Sequence, residues 1–225
     1  MIRACLLIAA TVLAVPTMAA ERRFDLAGFD RVAVGGSDNV VIRHGSGFSV
    51  VATGAQDDLD RLEIKVERGS LGIGRKSGNW NWSSKNVTVA VTLPALRGLS
   101  LGGSAAVQAD RGEGDVFDLK LGGSGNLMVG QVQAKTVNVS VSGSGNAKAS
   151  GQCGALNLRL AGSGDVDLSG LACTNADIRV AGSGDVLARA SGQANISVAG
   201  SGDVMVTGGA KCTKRVAGSG DVVCR

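Results

Sequence analysis

The sequence predicts an all-β protein: a parallel β-helix, or β-solenoid, with coils of about twenty residues, preceded by an N-terminal β-sheet cap. A Gly-Ser-Gly-Asp or Gly-Ser-Gly-Asn phrase returns every 18 to 20 residues in the second half of the chain. Aliphatic residues alternate with polar ones on both sides of each phrase. Aromatic residues make up only 3% of the chain, so Val, Leu, Ile and Ala must fill the core.

Residues 1–20 are typical of a secretory signal peptide. Arg3 supplies the basic start, residues 4–15 form an apolar run, and the small residues after it allow cleavage after Ala19 or Ala20. A membrane anchor is the alternative, but it needs roughly twenty apolar residues. We therefore expect an exported chain without a membrane span after signal cleavage, located in the periplasm, on the outer surface or in the medium.

The mature domain, residues 21–225, has two parts. Residues 101–225 carry the regular coils, whereas residues 21–100 contain longer aliphatic segments separated by Gly-rich turns. These segments are 40–42, 48–51, 62–66, 71–73 and 87–93. Because they lack most of the repeated phrase, we expect them to form a sheet that covers one end of the solenoid.

The phrases place residues about twenty apart in register. Their central serines are Ser104, Ser124, Ser144, Ser163, Ser183, Ser201 and Ser219, and a degenerate copy occurs at 35–37. Gly tolerates positive φ and Asp or Asn bonds the local backbone, so each phrase is predicted to form a corner between strands. Stacked coils then bring equivalent residues to about 4.8 Å from each other, the spacing of paired strands.

Four cysteines follow the predicted signal peptide, an even number that suits an oxidising compartment. Cys153 and Cys173 each stand ten residues before the serine of their coil, so they occupy one position on adjacent coils. That spacing lies within the disulfide range and predicts a Cys153–Cys173 bridge. Cys212 and Cys224 fall in inward columns of the last coil and are predicted to close it, with two buried free thiols as the alternative.

Several motifs occur together along the chain. They are Gly-Gly-Ser-Asp-Asn-Val at 35–40, Val-Thr-Leu-Pro-Ala-Leu at 91–96, Leu-Gly-Gly-Ser at 101–104 and the later Gly-Ser-Gly-Asp-Val phrases. This combination, over about residues 24–223, resembles the bacterial head GIN domain family, which is described as an auto-transporter adhesin domain of unknown function. The resemblance implies a right-handed β-helix and an adhesion role, and it provides no catalytic residues.

The aspartates of the phrases are the candidate metal ligands. Asp165, Asp185, Asp203 and Asp221 would form a column, in which neighbouring like charges cost roughly 1 kcal/mol per pair in water. A Ca²⁺ ion between coils would offset that repulsion. Alternatively, each carboxylate accepts a backbone N–H bond at its own or the next corner. We expect structural corners and no cofactor, with Ca²⁺ as the alternative.

Two groups of residues are candidates for glycan contact. Trp80 and Trp82, in a polar loop, could stack on sugar rings or instead form a hydrophobic lid. Arg159 and Arg179 are predicted to align on adjacent coils as a basic stripe for acidic glycans, with solvated arginines as the alternative. Two further residues are expected in their column, Lys120 and Asn138.

The composition argues against catalysis and nucleic-acid binding. The chain has one histidine, His44, and its formal charge of +4 is spread among interspersed acids and bases. We predict that it is not an enzyme but an adhesion, binding or scaffold module of the envelope, with a glycan or protein ligand. The alternative is a polysaccharide-binding or carbohydrate-active protein that uses Trp80, Trp82, Arg159 and Arg179. Self-association is also considered, through solenoid ends where Lys214 takes an inward column.

Overall fold

A computed structural model describes residues 19–76 and 87–225. Trp80 and Trp82 lie outside these ranges, so glycan contact at them stays a prediction. Seventeen strands and one short helix lie in the described residues. In chain order they are β1 Ala20–Phe24, β2 Arg31–Gly36, β3 Asn39–His44, β4 Ser49–Gly54, α1 Gln56–Asp60, β5 Leu62–Glu67, β6 Ser70–Arg75, β7 Thr88–Leu93, β8 Gly98–Gly103, β9 Ala106–Gly123, β10 Asn126–Gly143, β11 Asn146–Gly162, β12 Val166–Gly182, β13 Val186–Ala190, β14 Gln193–Gly200, β15 Val204–Thr207, β16 Lys211–Gly218 and β17 Val222–Cys224.

The strands wind into a β-solenoid of about six coils, as the repeat predicts. Residues about twenty apart pair in parallel, so Val139 of β10 lies between Leu119 of β9 and Leu158 of β11. All three side chains are at most 2% exposed. The core is therefore a set of aliphatic columns that run along the stack, and it needs few aromatic rings.

One side of the solenoid absorbs the differences in coil length. The pairing shifts between Val129 and Val132, between Lys148 and Gly151, and between Leu168 and Ala172. The strand that precedes each phrase keeps its register from coil to coil. Variation thus falls in the stretch that follows each phrase, before the chain reaches the cysteine column.

The N-terminal third joins the stack rather than only covering it. Gly36 pairs with Gly103 and Val40 with Val107, so the coil made by β2 and β3 lies directly on the coil made by β8 and β9. On the other side of the coil made by β2 and β3, these two strands pair in parallel with β6 and β7. The expected cap consists of the antiparallel strands β1, β4 and β5, which finish this end of the sheet.

A buried ion pair fixes the corner between β2 and β3. Asp38 is 1% exposed and accepts hydrogen bonds from Arg75 Nε at 2.8 Å, from Arg75 Nη2 at 2.6 Å and from the backbone N–H of Val87 at 3.0 Å. These bonds to Asp38 raise the pKa of Arg75. A buried carboxylate requires such partners, because desolvation of an unpaired charge costs several kcal/mol; the pair therefore joins β6, β7 and this corner.

Both predicted disulfides are present. Cys153 and Cys173 are directly paired residues of β11 and β12, with Cα atoms 4.4 Å apart. Cys212 and Cys224 are joined across the last coil, where they lie next to Ala194 and Val206 of the preceding one.

Among residues 19–76 and 87–225, no helix has the length and apolar character that crossing a bilayer requires.

Candidate functional site

The four aspartates predicted as a column form a hydrogen-bonded ladder. Oδ1 of Asp165 accepts the N–H of Asp185 at 3.0 Å, Asp185 accepts that of Asp203 at 2.9 Å, and Asp203 accepts that of Asp221 at 2.8 Å. Asn146 bonds the N–H of Asp165 in the same way, at 3.0 Å. We call these five residues the corner ladder. The first four side chains bond the backbone of the next coil, and Asp221 Oδ1 accepts the N–H of Val222 in its own coil, which is the structural alternative considered above.

The corner ladder also bears on the metal hypothesis. An amide oxygen at Asn146 makes the bond that a carboxylate oxygen makes in later coils, so the ladder does not depend on charge. Within the described residues, no three His, Cys, Asp or Glu side chains come together as metal ligands.

Arg159 and Arg179 are paired residues of adjacent coils, and both are exposed. Arg179 also forms an ion pair with Asp177 at 3.1 Å, which occupies part of its guanidinium. In the regular coils the column consists of Lys120, Ser140, Arg159, Arg179, Ser197 and Arg215. It is therefore a broken basic stripe, in which two serines interrupt the cations. Arg215 was missed, although it stands four residues before its phrase serine like the others.

The expected position of Asn138 in that column was wrong. Asn138 stands six residues before Ser144, two residues away from the arginine column, and it pairs with Asp118 and Asn157. Its side chain donates to Asp118 Oδ1 at 2.9 Å, and Arg31 donates to Oδ2 at 2.8 Å. Burial raises the pKa of Asp118, but these two bonds outweigh it and the pKa lies below its ordinary value. Asp118 therefore binds the N-terminal coil to the regular ones.

A large concave surface lies beside the stretch where coil lengths vary. This side groove has a volume of about 720 Å³ and crosses six coils, from Gly114 to Gly208. Small inward residues form its floor, including the buried Cys153–Cys173 disulfide. Polar side chains line it, namely Asp115, Gln133, Lys135, Gln152, Thr174, Arg189 and Ser191.

The charges in the side groove are paired at one end. Lys135 Nζ lies 2.9 Å from Asp115 Oδ1, and this bond lowers the pKa of Asp115 and raises that of Lys135. Sequence reasoning did not identify the groove, because no repeated phrase marks this side. The one available signal was the alignment of Cys153 and Cys173, which fixes the column at its floor.

Comparison with known proteins agrees with this geometry. Residues 28–210 match the family described as "Putative auto-transporter adhesin, head GIN domain". The chain belongs to this family. The resemblance inferred from the sequence motifs is thereby confirmed. No curated protein matches this head GIN chain.

Solved structures resemble this head GIN protein along nearly its whole length. A putative adhesin from Bacteroides fragilis has a TM-score of 0.85 at 18% identity and covers 93% of this chain and 98% of its own. A putative lipid binding protein from Parabacteroides distasonis has a TM-score of 0.73 at 19% identity, with the same coverage. A putative adhesin from the latter species has a TM-score of 0.71 at 19% identity and covers 92% and 97%. At such identities the likeness shows the fold alone.

The family description and the chemistry of the chain also bear on its compartment. Two disulfides are joined within one small domain. Such bonds persist in oxidising environments and are rare in the cytosol. Together with the adhesin family, they indicate an extracytoplasmic protein.

Proposed function

We propose that this head GIN protein is exported by the signal peptide at residues 1–20 and acts as a non-catalytic adhesion or binding module of the cell envelope. The observation that carries the proposal is the side groove, which is open to solvent across six coils. At the strand spacing of about 4.8 Å, six coils span roughly 24 Å. A surface of that length suits an extended ligand, an envelope glycan or a protein segment.

The chemistry of the side groove supports such a ligand. The amides of Gln133 and Gln152 lie on adjacent coils and can both donate and accept hydrogen bonds. The hydroxyls of Thr174 and Ser191 lie further along the same groove. Repeated neutral donors and acceptors match the hydroxyl and carbonyl groups that recur along a glycan or an extended backbone.

The ionisable groups support binding rather than catalysis. In the described residues, the carboxylates of Glu67, Asp115 and Asp167 have lowered pKa values because a lysine donates a hydrogen bond to each. A general acid instead needs a carboxyl group whose pKa is raised toward neutrality. The adhesin description of the family also favours a binding role.

Retention of envelope material tests the proposal. The mature chain, immobilised, is expected to retain a glycan or protein from solubilised envelope fractions, and a glycan array identifies sugar ligands. Gln133→Ala with Gln152→Ala should lower retention at least tenfold. Gln193→Ala is the control, because Gln193 is an exposed glutamine outside the side groove.

Two outcomes would contradict the proposal. Equal retention by wild type and the double variant would exclude the side groove as the binding surface. A decrease in the size of any glycan during incubation would indicate cleavage, and it would favour the carbohydrate-active alternative.

A further inference from the structure

A second concave surface lies on the face that follows the phrases. This apolar trough has a volume of about 450 Å³ and shares no lining residue with the side groove. The trough lies between two columns of outward-facing side chains. One column is next to the corner, and the other is two residues further along each strand. Its apolar outward residues are Val41, Ala106 and Met128.

The trough is unusual because outward positions in the coils are mostly polar. Met128 is 45% exposed, although its neighbours in the same column are Gln108 and Lys148. Contiguous exposed apolar surface on a soluble domain is typical of a binding site. A volume of this size also falls in the range of sites for small ligands.

The asparagines along the trough are engaged within the protein. Asn39 Oδ1 accepts the N–H of Ala106 at 3.3 Å, and Asn146 Nδ2 donates to Asn126 Oδ1 at 3.3 Å. These bonds hold the amides along the corner edge, so the trough offers mainly apolar surface to an occupant. An uncharged chain therefore fits the trough better than a charged group does.

An ion pair closes one end of the trough. Lys148 Nζ lies 2.6 Å from Asp167 Oδ2, and Ser169 donates to Oδ1 of the same carboxylate at 2.6 Å. The bonds from Lys148 and Ser169 lower the pKa of Asp167, so the pair stays charged at neutral pH. From Val41 to Lys148 there are three strand spacings, or about 14 Å, and Gln108 stands between Val41 and Met128 in this column.

We propose that the apolar trough binds one unbranched aliphatic chain, that of a fatty acid. The trough has a mainly apolar lining and extends along the stack across neighbouring coils, and its charges are already paired at one end. The head group of the fatty acid then lies outside the trough, in solvent. This site is independent of the proposed adhesion surface, because the trough and the side groove have separate linings.

The test uses cis-parinaric acid, a fluorescent fatty acid, below its micelle concentration. Wild-type protein is expected to bind it saturably with one molecule per chain. Met128→Lys places a charge in the trough and should weaken binding at least tenfold, whereas Met128→Leu should keep it within twofold. Leu187→Lys is the matched control: Leu187 lies in the same outward column, is 42% exposed and is outside the trough.

The outcomes separate this site from the adhesion surface. Absence of saturable binding to wild type would overturn the fatty-acid site, as would equal weakening by Met128→Lys and Leu187→Lys, which indicates adsorption to any exposed apolar residue. Loss of binding by Met128→Leu as well as Met128→Lys would also overturn it, since the apolar character would then not matter. Retention of envelope ligands by Met128→Lys should equal that of wild type, so each proposal can fail alone.

Discussion

At the scale of single residues, two glycines in each phrase allow the coils to approach closely, and they do so for different reasons. Gly182 has φ +137°, a conformation that side chains disfavour, and an added Cβ would lie 2.1 Å from the carbonyl oxygen of Gly162. Gly184 has no positive φ, but its Cβ would lie 2.1 Å from the carbonyl oxygen of Gly164. The second glycine is thus needed for space alone.

Replacement of Gly184 tests this steric requirement. Gly184→Ala should lower the free energy of unfolding by about 2–3 kcal/mol, because the new methyl group meets backbone of the adjacent coil that cannot rotate away. Gly47→Ala is the control, since no atom lies within 4 Å of its added Cβ, and it should leave stability unchanged or slightly raised. Urea unfolding followed by circular dichroism measures both. Equal stabilities would show that the coils can separate locally at little cost.

At the scale of the element, the corner ladder replaces a strand at the point where the chain turns. The N–H of Asp203 finds its acceptor on the side chain of Asp185, and the N–H of Val204 finds the carbonyl of Asp221 on the next coil. Side-chain and backbone bonds together therefore continue the parallel pairing through the corner. The like charges of the ladder remain, partly screened because these residues are exposed.

Substitutions at Asp185 separate its hydrogen-bonding role from its charge. Asp185→Ala removes the acceptor for Asp203 and should lower stability by about 0.5–1 kcal/mol, whereas Asp185→Asn keeps an acceptor and relieves repulsion, so it should match or exceed wild type. Thermal melting with and without millimolar Ca²⁺ measures both effects. We expect the wild-type curve to be unchanged by Ca²⁺. A midpoint that rises with Ca²⁺ in wild type but not in Asp185→Asn would establish the metal site.

The strands also show which parts of the fold and of the candidate site could be predicted from the sequence. The strand before each phrase has constant length, so counting from the serines placed Arg159 beside Arg179 and Cys153 beside Cys173. In a strand, every second residue faces solvent, so the same counting gives two outward columns, and Asn138 belongs to the one that does not contain the arginines. The side groove was not found this way, although its residues keep register from β10 to β12, because counting assigns residues to columns and does not show where the surface is concave.

At the scale of the whole molecule, the order of the coils differs from the order of the chain. The coil at residues 31–44 lies between strands from residues 70–93 and residues 98–109. A period of about twenty residues predicts only neighbours one repeat apart, whereas Gly36 and Gly103 are 67 residues apart. The degenerate phrase at 35–37 indicates a corner, but local spacing cannot tell which coil that corner meets.

The C-terminal end of the solenoid is closed differently from the other end. Val216 is 45% exposed, while Val198, its neighbour in the preceding coil, is 1% exposed. Lys214 takes the inward position next to Ile196, and its Nζ donates to the carbonyl oxygen of Val222 at 2.6 Å. An inward-facing charge on an edge strand hinders pairing with another sheet. Together with the Cys212–Cys224 disulfide, Lys214 thus ends the stack.

Removal of this charge should make the end adhesive toward a second copy. Lys214→Ile leaves an apolar inward column beside the exposed Val216 and the unpaired backbone of β16, so we expect the sedimentation coefficient to rise with protein concentration. Lys211→Ile is the control, because Lys211 faces outward from the same strand and leaves the inward column unchanged. Wild type and Lys211→Ile should show much weaker concentration dependence. If all three chains sediment alike at every concentration, the charge at Lys214 is not what keeps the end from pairing.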